Sequence, residues 1–153
     1  IAITMLPPLG IHLIYQLSGD KRRWIPVLGY ILAALFVGYF LLEADGVKAG
    51  VCLGNYVIFE NRDEFYPIYA GYYYGLLIIA IVYAYIQSKA AVKNIRRSLC
   101  SLMIGYILFM VPTTFVNIVD PSTISGIPSI MCGFAVLLAA TLAGKVLPEY
   151  FDK

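Results

Sequence analysis

Ionisable chemistry is scarce in this chain, and the scarcity excludes most functions before any motif is weighed. A single histidine, His12, rules out His-based metal clusters and a bis-histidine haem within the chain. The cysteines Cys52, Cys100 and Cys132 are an odd, scattered set without C-x-x-C spacing, which argues against a disulfide framework and a zinc site. They read as small hydrophobes. Charged residues make up 13% of the chain, about half of what a soluble domain carries. No basic patch interleaves with aromatics, so no nucleic-acid partner is expected. The acids Glu43, Glu64 and Asp120 all lie near the ends of apolar blocks. Pumps and transporters keep ionisable groups near the membrane midplane, where they are costly and retained for use, so this placement speaks against both. G-x-S-x-G, H-E-x-x-H and P-loop spacings are missing too. No enzyme activity, metal or cofactor is expected of this chain.

What is abundant is apolar length. Hydrophobic residues are 61% of the 153, and the mean hydropathy is +0.81. Five apolar blocks stand out, at about 1–17, 24–42, 66–87, 99–119 and 125–143. About 20 apolar residues cross the hydrocarbon core as a helix. The sequence therefore predicts an all-α, polytopic transmembrane bundle of five spans, a single domain over 1–153, with the lipid bilayer as its first partner. The first block is shorter and begins abruptly at Ile1, which reads as a chain that continues upstream.

The connectors alternate in charge. The Asp20–Arg23 and Lys89–Arg97 connectors and the C-terminal tail together carry nine Lys/Arg and three Asp/Glu, against two and six in the other two connectors. Short basic loops resist translocation and stay cytoplasmic. The expected orientation is N-terminus outside and C-terminus inside, in a multi-pass cell-membrane protein.

Punctuation fits these helices. Ser18-Gly19-Asp20 ends the first, with glycine suited to the left-handed conformation just past a helix end. Trp24 and Pro26 open the second at the interface. Glycines 29, 38, 71, 75, 105 and 133 fall inside apolar blocks, where small residues allow close helix approach. Gly71 and Gly75 form a G-x-x-x-G pair, suited to intrachain packing or to a homodimer. Pro112 lies deep in the fourth block and marks a kink, either a signalling hinge or a shape of the bundle, with Thr113 and Thr114 placed to satisfy freed backbone groups. Between the second and third spans, Gly54-Asn55 separates two short apolar runs and predicts a small outer β-hairpin over 47–59, against the alternative of an interfacial helix or loop.

Two constellations remain as candidate ligand-binding residues. His12 and Gln16 are four apart and share a helix face, either as a pH- or ligand-responsive pair or as a hydrogen-bonding structural one. The third block begins Tyr66-Pro67-Ile68-Tyr69-Ala70-Gly71-Tyr72-Tyr73-Tyr74, with Tyr66, Tyr69 and Tyr73 on one face. An interfacial anchoring belt accounts for some of these rings. The surplus, with Tyr56, Phe59 and Phe65, suits an outer cavity for an amphipathic small molecule.

Three stretches carry a resemblance: Leu6-Pro7-Pro8-Leu9-Gly10-Ile11-His12 through Leu17-Ser18-Gly19-Asp20; the glycine-spaced loop into the Tyr-rich helix, Gly50 to Tyr74; and Lys93-Asn94-Ile95-Arg96-Arg97, followed by a long helix, an Asp-Pro turn and a last helix entered at Gly126-Ile127-Pro128. On these the chain resembles the N-terminal membrane-sensor region of seven-helix bacterial histidine kinases, as the last five of the seven helices. The resemblance implies a receptor module that binds a small or lipid-like ligand and passes a helix movement to a cytoplasmic output domain. The tail from Leu147 to Phe151 carries no kinase or dimerisation segment, so any kinase activity lies outside this chain. The rival class is a structural or assembly subunit of a larger membrane complex, with Tyr and Gly faces as contact surfaces.

Overall fold

The computed structural model describes residues 2–42, 47–53, 56–61, 66–119 and 127–151. It is an all-α bundle of α1 (Ala2–Ser18), α2 (Trp24–Leu42), α3 (Tyr66–Ala90), α4 (Lys93–Val119), α5 (Ile127–Thr141) and α6 (Leu147–Phe151), the last two joined without a break by a π-helical turn, Leu142–Val146. The one non-helical pairing among the described residues is antiparallel, between β1 (Val47–Leu53) and β2 (Tyr56–Asn61), with Val47 opposite Asn61, Leu53 opposite Tyr56, and a register shift between Ala49 and Cys52. The Gly54-Asn55 turn expected from the sequence lies outside the described residues.

Among the described residues, four helices are long and apolar enough to cross a membrane: Trp24–Leu42, Pro67–Ala90, Lys93–Val116 and Gly133–Phe151. Their length and composition are those of a multi-pass membrane protein, and the expected first span, 1–17, is the 17-residue α1, which is not among the four. The last stretch lies further along the chain than the expected 125–143. The π turn explains why the helix does not stop. Leu147 N–H bonds the Leu142 carbonyl, five residues back, and the widened turn relieves the clash that Pro148 would otherwise make with the carbonyl four residues before it.

The short α1 sits at the centre. It packs on α2, α3 and α4, burying Ile11, Ile14 and Leu17, while α4 packs on α3 and on the α5–α6 run. Two glycines set the spacing. A Cβ on Gly10 would fall inside the hydroxyl of buried Tyr106 of α4, and one on Gly105 would meet Thr141 Cγ2 at 3.0 Å and Leu138 Cδ1 at 3.1 Å. Gly29 similarly lets Pro8 approach, at 3.2 Å from such a Cβ. The expected close approaches at Gly38, Gly71, Gly75 and Gly133 are not seen among the described residues, where nothing lies within 4 Å. The G-x-x-x-G pair therefore sets no close helix approach within the described bundle.

α1 ends as the sequence predicts, at Gly19 with φ +65° and its N–H bonded to the Gln16 carbonyl. In α4 the helix continues through Pro112. The Thr113 and Thr114 hydroxyls donate to the carbonyls of Phe109 (3.1 Å) and Met110 (3.0 Å), just beyond the Leu108 carbonyl that Pro112 leaves without its helical donor.

Candidate functional site

The candidate residues separate into two groups along α1. The first surrounds Thr4. Pro7 and Pro8 stand inside α1, and Pro8 has no N–H for the Thr4 carbonyl. In a membrane a freed carbonyl must find another donor. Tyr72 supplies it: its hydroxyl crosses from α3 and donates to Thr4 O at 2.7 Å. Beside it, the Tyr69 hydroxyl and Thr4 Oγ1 share a hydrogen bond of 3.2 Å. Phe36 and Phe40 of α2 close over these rings, edge-on to Tyr69 at 5.6 and 5.2 Å and tilted against Tyr72 at 4.4 Å.

Tyr69 is thereby buried, at 5% exposure, within the contact of α1, α2 and α3, and Tyr73, one turn further along α3, is buried at 3%. The side chain of Tyr66 lies outside the described residues, as do those of Tyr56, Phe59 and Phe65. What the structure places at Tyr72 is repair of a proline-interrupted helix, with Tyr69 beside it on the Thr4 hydroxyl. The sequence signal was there in Pro8, four residues after Thr4, but the donor that answers it comes from another helix.

The second group lies two turns further along α1. His12 Nδ1 meets the Tyr30 hydroxyl of α2 at 2.9 Å, and Gln16 Nε2 meets His12 Nε2 at 3.1 Å. The two ring nitrogens of His12 thus bridge Gln16 of its own helix to Tyr30 of α2. Tyr30 also stands edge-on to His12, with ring centres 5.7 Å apart. Around this triad opens a pocket of about 410 Å³, with Arg23 and Tyr15 at its edge and Pro26 and Val27 as apolar wall. The structure thus joins His12 to Gln16, as their spacing predicts. It adds Tyr30 and Arg23, and sets the pair apart from Tyr69 and Tyr73.

Beside this pocket, the α1–α2 loop carries a third polar cluster that sequence reasoning missed. Asp20 forms an ion pair with Arg22 (2.8 Å) and takes that residue's backbone N–H at 3.1 Å. It also accepts from the Tyr83 hydroxyl (2.9 Å) and from the Gln87 amide, both on α3. The Arg22 hydrogen bonds hold the Asp20 carboxyl well below the ordinary carboxylate range, against the opposing effect of desolvation. The loop is thereby tied to α3. Only the i, i+4 spacing of Tyr83 and Gln87 hinted at a shared target.

A fourth contact joins the C-terminal helix to α4, where Ser101 Oγ donates to Glu149 Oε2 at 2.6 Å. Among the described residues, no three of His, Cys, Asp or Glu gather as metal ligands. In comparisons with known families, curated proteins and solved structures, nothing matches this chain.

Proposed function

We propose that the chain is the membrane sensory module of a signalling receptor, with its N-terminus outside, its C-terminus in the cytoplasm and its output in a cytoplasmic domain, as in the seven-helix histidine kinases it resembles. The observation that carries this reading is the polar pocket of His12, Gln16 and Tyr30, a set of hydrogen-bonding groups in an open depression on the surface of the α1–α2 pair. A ligand acceptor taken by the Tyr30 hydroxyl or the Arg23 guanidinium competes with the His12–Tyr30 bridge, which spans the α1–α2 contact. Movement of α1 reaches α3 through the Asp20 cluster and α4 through the seat of Tyr106 on Gly10. An assembly subunit needs no such opening.

The orientation rests on the charge alternation of the connectors. In a Cys52→Ser background, cysteines placed at Lys21 and Lys89 should resist an impermeant thiol reagent applied to intact cells. The functional test uses the full-length protein in native membrane vesicles, following phosphate incorporation into its cytoplasmic part. His12→Ala and Gln16→Ala should change steady-state phosphorylation while insertion and melting stay as in the wild type. Unchanged phosphorylation in both variants, or a full-length protein without an output domain and held in a stable complex, would overturn the receptor reading.

A further inference from the structure

On the other face of α2, a groove runs between α2 and α3. It encloses about 440 Å³ and is almost wholly apolar, with Ile25, Leu28, Leu32, Ile79, Val82 and Ile86 among its walls and Ile11 of α1 at its floor. Its shape follows from the two ends of the helix pair. At the far end Phe36 and Phe40 lock onto Tyr69 and Tyr72 and close it. At the near end no comparable aromatic contact is described, and Trp24 and Tyr83 frame the mouth.

Length and charge point to the occupant. Along α3 the lining runs from Leu76 to Ile86, about 15 Å at the helical rise. That is roughly the depth of one leaflet, half of a hydrocarbon core about 30 Å thick, and so the reach of one acyl chain.

The mouth is polar and cationic. Tyr83 leads to Asp20, whose carboxylate is already occupied by Arg22, Tyr83 and Gln87. The Arg22 side chain remains about half exposed, and Lys21 and Arg23 flank it in the chain. We propose that the α2–α3 groove binds one acyl chain of an anionic phospholipid, with the headgroup phosphate at Arg22 and the tail ending against the aromatic lock. The site is separate from the His12 pocket and does not depend on the receptor reading.

Trp24 is the only tryptophan of the chain and stands at the mouth, so it reports occupancy directly. The protein is reconstituted in phosphatidylcholine vesicles containing a minor fraction of acyl-brominated phosphatidylglycerol or of acyl-brominated phosphatidylcholine. The brominated phosphatidylglycerol should quench Trp24 severalfold more at equal mole fraction, and saturably. Val82→Phe and Ile79→Phe, which fill the groove, should each remove that excess. Arg22→Gln should make the two lipids quench alike. Equal quenching by both lipids in the wild type overturns the proposal, as does an excess that survives both filled grooves. Absence of quenching, the sign of a second copy or another helix covering the groove, overturns it too.

Discussion

The two ends of the α1–α2–α3 group make opposite use of the same residue types. At the Thr4 end, tyrosine hydroxyls are spent on a backbone carbonyl and a threonine, and phenylalanines seal them in. At the Asp20 end, Tyr30 and His12 bond to each other and still border open space, while the neighbouring faces of α2 and α3 leave a slot. A tyrosine inside a membrane bundle is therefore not informative by its chemistry alone. What separates structure from site is whether its hydrogen-bonding capacity is used up by the fold.

The sharpest way to break this contrast is at Gly10, between the two ends. Gly10→Ala drives a methyl group into the Tyr106 hydroxyl and should cost about 1–3 kcal/mol of stability, by the usual penalty for overpacking. Both ends should loosen together in thermal unfolding in micelles. Adding Tyr106→Phe, which removes the obstructing oxygen but leaves the ring edge 2.9 Å from the new methyl, should restore part of the loss. A Gly10→Ala protein that melts like the wild type would remove α4 from the account of how α1 is held.

A gentler pair compares one chemical change at the two ends. Tyr72→Phe leaves the Thr4 carbonyl without a donor and should cost about 1–3 kcal/mol. Tyr30→Phe, at a site open to solvent or ligand, should stay within about 0.5 kcal/mol. Equal losses in the two melts would erase the distinction between a sealed and an open end.

Smaller still is a pH-dependent effect at Asp20. Its folded carboxyl lies below the ordinary range, so its contribution is complete above the unfolded value of about 3.9 and fades as pH falls below it. Asp20→Asn should lower the melting temperature at neutral pH, and the gap to the wild type should narrow as pH drops below about 4. A gap that is constant from neutral pH down to pH 3 would show that the carboxylate charge is not what ties the loop to α3.

Much of the helical frame was legible because apolar length and glycine punctuation are local signals. The Trp24–Leu42 span and the stop at Gly19 follow from the residues at those positions. The His12–Gln16 contact needed only the helical repeat. The rest was hidden wherever the answer came from elsewhere in the chain. Pro8 announces a freed carbonyl, but nothing near it says that Tyr72 will answer. Gly10 looks like any glycine in an apolar block until Tyr106 is set against it. The C-terminal run reaches past the expected end at 143 for a different reason: apolar length runs out there, and the π turn that carries the helix on to Pro148 has no sequence signature.

That π turn also governs phase. From Thr141, which lies on Gly105, to Glu149, which bonds Ser101, the chain advances eight residues. In a regular α-helix this would place Glu149 about 80° around the axis from Thr141. The extra residue absorbed by the π turn subtracts about 100°, bringing the two back to within about 20° of one line. The α4-facing side of this helix is thus kept in step by one surplus residue. Deleting a residue such as Gly144 would turn the π turn into an α turn and keep the line, but would restore the clash of Pro148 with the preceding turn, whereas inserting one would swing Glu149 off Ser101. The surplus residue thus serves the proline and the phase of the helix together.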